Sequence, residues 1–182
     1  MPPPIRSGRA AALPSTRIQR GRGGDIKDLV GLIPLYVIHV GRDPATASQF
    51  IARRPACFDA TYIGEAPRFA VTIGNSQTGI SIGYGQCLDP PIHILTINYF
   101  GTGNTGSCCY HPLGCDPLDP AGIPGQISVV DCSTTEPTRF YVEAGYSWIN
   151  MHLSPGGCVP QPPVENTTWG RIKSQYSNDD PT

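Results

Sequence analysis

Before Asp25 the chain contains no acidic residue, and only 15% of its 182 residues are charged, against about 25% in an average soluble protein. Hydrophobic residues are also sparse, at 39%, below the roughly 45–50% of a typical globular chain. No apolar run is long enough to cross a bilayer. The first strongly apolar stretch, Leu29 to Val40, is broken by Gly31 and Pro34 and follows acidic Asp25 and Asp28. This excludes a membrane-spanning helix and a recognisable signal peptide there, and implies a processed chain or a start placed late. A convincing helical period is missing from the body; only Trp169 to Tyr176 is a short-helix candidate. No G-x-S-x-G, H-E-x-x-H or spaced carboxylate pair is present, so the reading is not an enzyme, with no cofactor and no metal.

What is abundant points one way. The 21 glycines and 20 prolines punctuate the chain too often for long helices and suit short strands joined by turns. Seven cysteines in a chain of this composition indicate an oxidising compartment, so the expected location is extracellular or on the cell surface. The charge is divided. Met1 to Gly24 holds five of the 13 Lys+Arg residues (Arg6, Arg9, Arg17, Arg20, Arg22). The remainder sets 8 Lys+Arg against all 14 Asp+Glu, a formal charge of −6. Clustered arginines can neutralise phosphate, but the arm has no interleaved aromatics and the acidic body repels a polyanion, so no nucleic-acid partner is expected.

Strand-like segments follow one another. Leu35 to Val40, Thr46 to Ile51, Arg68 to Ile73 and the alternation of Ile80, Ile82 and Tyr84 come first. Ile92 to Phe100, Ile127 to Asp131, Phe140 to Val142 and Trp148 to Leu153 follow. Short strands separated by turn signals at about 8–12 residues argue for a sandwich or barrel. The expected organisation is an arm and candidate donor strand over 1–34, one β-sandwich domain over 35–159 and a tail over 160–182.

Several motifs look chemical and have plainer readings. Gly101 to Gly106 spells G-x-G-x-x-G after a strand, but Ser107-Cys-Cys-Tyr-His-Pro112 cannot form the helix that a dinucleotide site needs. It reads as a hairpin loop. Cys108, Cys109, His111 and Cys115 crowd four metal-ligand types into one loop, whereas a structural zinc site uses separated pairs. Disulfides are the expectation: Cys57 with Cys87, one of Cys108 or Cys109 with Cys115, and the other with Cys132, leaving Cys158 odd. Asn166-Thr-Thr168 is a formal N-glycosylation sequon, a possible glycan site.

Ala45-Thr-Ala-Ser-Gln-Phe50, Ser81-Ile-Gly-Tyr-Gly-Gln-Cys87, Ile94 to Phe100, Val129-Val-Asp-Cys-Ser133 and the tail Thr167-Thr-Trp-Gly-Arg-Ile-Lys173 together resemble secreted bacterial domains of unknown function. The resemblance implies an all-β, immunoglobulin- or cohesin-like antiparallel sandwich, with an N-terminal extension strand and a C-terminal tail, and implies no assigned chemistry. The N-terminal extension, with apolar Ile26, Leu29, Val30, Leu32 and Ile33, also resembles pilus subunits that assemble by donor-strand exchange. There one subunit's strand completes the sheet of the next, by backbone pairing at an open edge. Because donor and groove are different surfaces, such a contact builds an open helical homopolymer. The expected function is therefore a structural, pilus-like fibril subunit whose partners are copies of itself. The rival is a monomeric secreted module that binds carbohydrate or protein, with Tyr84, Tyr99, Tyr110 and Trp148 as candidate stacking residues.

Overall fold

The computed structural model describes residues 17–18, 25–40, 43–154 and 158. Among them the protein is all-β. The strands are β1 (Arg17–Ile18), β2 (Asp25–Ile26), β3 (Gly31–Val40), β4 (Ala45–Phe50), β5 (Ala60–Pro67), β6 (Val71–Asn75) and β7 (Gly79–Leu88). They continue with β8 (Ile92–Gly101), β9 (Cys109–Pro112), β10 (Gln126–Val130), β11 (Arg139–Glu143) and β12 (Tyr146–Ile149), before a single 3-10 turn at Met151–Leu153. A four-stranded sheet in the order β1-β3-β8-β5 and a five-stranded sheet in the order β11-β10-β4-β7-β6 enclose the core. A third, small sheet, β2-β12-β9, is built from the segments flanking them.

Alternation decides which face of each strand is buried. Along β3, Ile33, Leu35, Val37 and His39 are buried while Leu32, Pro34 and Tyr36 are exposed. From the facing sheet, Phe50, Ile80, Ile82, Ile127 and Val129 have no exposed surface, and Ile94, Leu95, Ile97 and Tyr99 of β8 likewise. A β-bulge at Val37/Ile38 lets β8 bury both Ile94 and Leu95 without losing its pairing to β3.

Three boundaries differ from the sequence reading. β3 begins at Gly31 rather than Leu35, because Pro34 lies at an exposed position of a strand that is an edge over most of its length, where proline is tolerated. The arm therefore does not extend to residue 34. β5 was not expected: Gly64 and Pro67 read as breakers, yet a bulge between Tyr62 and Gly64 keeps it paired with β8. The last strand ends at Ile149 and turns at Asn150, whose left-handed φ of 56° breaks the extended run. The tail from 160 onward, with Asn166 and the helix candidate at 169–176, lies outside the described residues.

Candidate assembly site: the edge of β3 and the segment that precedes it

The disulfides set the frame on which this site is built. They join Cys57–Cys109, Cys87–Cys132 and Cys108–Cys158, and Cys115 is a free thiol. The expected pairs were different, and strand geometry explains the correction. Cys109 lies in β9 facing the core, 3% exposed, where it meets Cys57. Cys108, just before β9 with φ of 59°, turns the other way and takes Cys158. Adjacent residues that point apart cannot both reach Cys115 or Cys132. The bridges close sequence separations of 52, 45 and 50 residues, each worth about 4 kcal/mol in the chain-entropy account.

The five residues expected to donate a strand are held by their own chain. Ile33 is buried in the core from β3, and Ile26 pairs in parallel with Ile149 of β12. Leu32 lies on the outer face of β3, and Leu29 and Val30, between β2 and β3, are exposed. The segment between β2 and β3 is further locked by a polar network that the sequence did not announce. The Asp28 backbone N–H donates to Asn150 Oδ1 at 2.9 Å, the Asn150 Nδ2 donates to the Thr105 carbonyl at 2.7 Å, and the Thr105 N–H donates to Asp28 Oδ2 at 2.9 Å. Asp25 receives the Met151 N–H at 2.6 Å, and its other carboxylate oxygen lies at the same distance from His152 Nδ1. Asp28 and Asn150 are 6% and 3% exposed, so each of these bonds replaces a costly desolvated group. The one visible signal was a pair of acidic residues, Asp25 and Asp28, placed directly ahead of an apolar strand.

Above this anchor the edge of β3 is paired over two positions only, among the described residues. β3 pairs along its whole length with β8, but on the other side only Val40 and His39 are met, by Arg17 and Ile18 of antiparallel β1. Among the described residues no strand pairs with that edge from Gly31 to Ile38. An edge of this kind offers a row of unpaired backbone groups to another strand. The outer face beside the edge is apolar: Leu32, Tyr36, Ile63 and Phe100 are each more than half exposed, and Leu32 stands opposite Phe100. The β5 edge is engaged differently, through Glu65, whose carboxylate accepts the Ser76 N–H at 2.9 Å. His39, at the β1 junction, is 1% exposed. Burial pushes its imidazole down to about 4, against the opposing pull of Asp43.

The remaining candidates fall into place as structure. Gly101–Gly106 leads from β8 towards β9; Thr102 donates to Asp59 Oδ2 and Thr105 Oγ1 accepts the Asp59 N–H. His111 is buried and its imidazole is pushed down to about 4 by desolvation, and among the described residues no group of His, Cys, Asp and Glu is placed to hold a metal ion. Of the aromatics proposed to stack on a ligand, Tyr84, Tyr99 and Trp148 are buried. Trp148 packs instead against Tyr110 and Tyr146, with ring centroids 5.2 and 6.0 Å away. No helix among the described residues is long and apolar enough to cross a membrane. Comparisons of the chain with protein-family models, with curated proteins and with solved structures returned no match.

Proposed function

We propose that the protein is a structural subunit of an extracellular, pilus-like fibril, in which the N-terminal segment of one copy adds a strand to the edge of β3 in the next. The observation that carries this reading is the two-residue pairing of β1 on an edge whose neighbouring eight positions, Gly31 to Ile38, have β8 on one side and no partner strand on the β1 side among the described residues. The donor is the arm over 1–24, not residues 26–33, which are tied into their own sheets and network. Charge supports the same pairing. An arm with five arginines and no acid faces a body of formal charge −6, which steers arm to body and disfavours arm to arm. Three of the six residues between β1 and β2 (Gly21, Gly23, Gly24) are glycine, the residue that least restricts chain direction. The same two-strand contact is therefore open to the arm of its own chain or that of a neighbour. An arm passed always to the next copy gives a heterologous contact and an open filament. Three disulfides fit an oxidising, extracellular setting.

The test is electron microscopy of the chain, oxidised and at a series of concentrations, beside a variant lacking residues 1–24. Filaments from the full chain and monomers from the truncated one, both with all three bridges intact, are the expected result. Dispersed monomers from the full chain at every concentration overturn the reading and favour a monomeric binding module.

A further inference from the structure

Two hollows differ in what their polar groups are doing. The trough on the outer face of the five-stranded sheet, about 160 Å³, is floored by Ser81 and Gly83 and walled by Val71, Ile73 and Arg139. Its long polar side chains are already spent within the fold: Arg139 is bound to Asp119 at 3.0 Å and Gln49 to Asp116 at 2.9 Å. The second hollow, about 240 Å³, lies where the β5–β6 connection meets the β7–β8 turn, and is lined by Arg68, Phe69, Gln86, Leu88, Asp89, Pro91, Ile92 and His93. There the side chains of Arg68, Gln86 and Asp89 make no hydrogen bond or ion pair with any described residue.

We propose that this second hollow binds a single pyranose ring, as a free sugar or as one unit of a glycan. The rim alternates in chemistry. Arg68 only donates, Asp89 only accepts, and the Gln86 amide does both. His93 completes the set. Its Nε2 lies 3.1 Å from the Leu95 carbonyl and 3.0 Å from Thr96 Oγ1, which leaves Nδ1 as the ring nitrogen with no hydrogen bond to a described residue. Vicinal hydroxyls, each a donor and an acceptor, match that alternation. One guanidinium and one carboxylate on the same rim cancel, so an anion or a cation meets as much repulsion as attraction, and a neutral polyol meets neither. The floor is apolar, from Phe69, Leu88 and Pro91, and suits the C–H face of a sugar ring. Phe69 is held against Tyr84 with ring centroids 4.9 Å apart.

Size selects one ring. A volume of about 240 Å³ equals roughly eight water molecules at their share of liquid volume, and falls below the 300 Å³ at which drug-sized sites begin. The walls are pre-set. The Arg68 N–H extends the sheet by bonding the Ile94 carbonyl at 3.0 Å. Cys87, between Gln86 and Leu88, is bridged to Cys132. The His93 ring is braced edge-on by Tyr36. The backbone and the His93 ring are therefore ordered before binding, and the cost left to binding is the ordering of the exposed Arg68, Gln86 and Asp89 side chains.

The probes are the methyl glycosides of glucose, galactose, mannose and N-acetylglucosamine, titrated into the oxidised, isotope-labelled full chain and followed by amide chemical shifts. At least one is expected to shift residues 68–69 and 86–93 along a saturable curve with a Kd of about 1–10 mM, the weak end of the affinity scale. Asp89→Ala and Gln86→Ala should each weaken that binding by about tenfold, the loss of one hydrogen bond to a charged or polar group, while leaving all other amides in place. The idea fails if none of the four glycosides shifts these residues, or if the two variants bind as the native chain does. It also fails if sodium acetate or guanidinium chloride shifts the same amides equally, which makes the hollow a weak ionic site.

Discussion

Asp28 and Asn150 are 122 positions apart in sequence and joined by a hydrogen bond of 2.9 Å in the interior. Asn150 holds this place through an αL backbone conformation and uses both ends of its amide, one on Asp28 and one on the Thr105 carbonyl. Replacing Asn150 by Ala leaves a buried N–H and a buried C=O unpaired, at about 1–3 kcal/mol for each group. The expected outcome is a lower urea midpoint at unchanged m-value. A midpoint within error of the native protein removes the network from any role in anchoring β2.

Gly101 is a second fixed point of the same anchor. A Cβ there would stand 2.3 Å from Asp28 Oδ1, 2.4 Å from Ile33 Cδ1 and 2.6 Å from the Leu29 carbonyl oxygen. Two of these neighbours are a backbone atom and a buried carboxylate, which have nowhere to move. Gly101→Ala is expected to cost more than the roughly 1–3 kcal/mol of ordinary overpacking, whereas Gly106→Ala, which meets nothing within 4 Å, serves as the near-neutral control. Thermal melts of the two variants distinguish them.

The cysteines make a chemical prediction. Denatured without reductant, the chain should expose one thiol to an alkylating reagent, and Cys115→Ser should expose none. Burial and the neighbouring Asp119 and Asp116 carboxylates push the Cys115 thiol up, so alkylation of the folded protein at neutral pH should be slow. Cys87→Ser with Cys132→Ser is expected to lower stability by about 4 kcal/mol, and Cys115→Ser by little. Peptide mapping that placed Cys115 in a bridge would contradict the fold around β9.

Acid should weaken the protein through its two buried imidazoles. His39 and His111 are held at about 4 in the folded state, while an unfolded histidine titrates near 6.5. Between those values the unfolded chain binds protons that the folded chain refuses. Above pH 6.5 neither histidine contributes; as pH falls from 6.5 to 4 stability is lost, on the order of 3 kcal/mol for each at the lower limit. Urea midpoints measured across this range should decline, and His111→Gln should flatten the decline. A profile level from pH 7 to pH 4 would contradict the burial of both rings.

The class of fold was legible because its signals are local. Alternation in Ile80, Ile82 and Tyr84 is written into consecutive residues and the core buries all three, whereas of the run Ile92 to Phe100 it takes Ile92, Ile94, Leu95, Ile97 and Tyr99 and leaves Phe100 exposed. β5 was hidden because its pairing overrides Gly64 and Pro67, and tertiary contact is invisible to a local rule. The bridges were misread for a related reason: which cysteines meet depends on how the strands are arranged, and Cys57 and Cys109 are 52 positions apart in sequence. At the candidate site, the division of charge and the apolar residues before Leu35 were visible. Their anchoring was not, since Asn150 looks like any other polar residue until its backbone conformation is known.

The parallel pairing of β2 with β12 also sets a timetable. Asp25 and Ile26 precede nearly all of the described body in the chain, and their partners Trp148 and Ile149 are among the last of it. Contacts of such long separation form late, because loop closure must precede them. While the body is being made, β2 therefore waits without its partner strand, and the small third sheet closes only when the body is nearly whole.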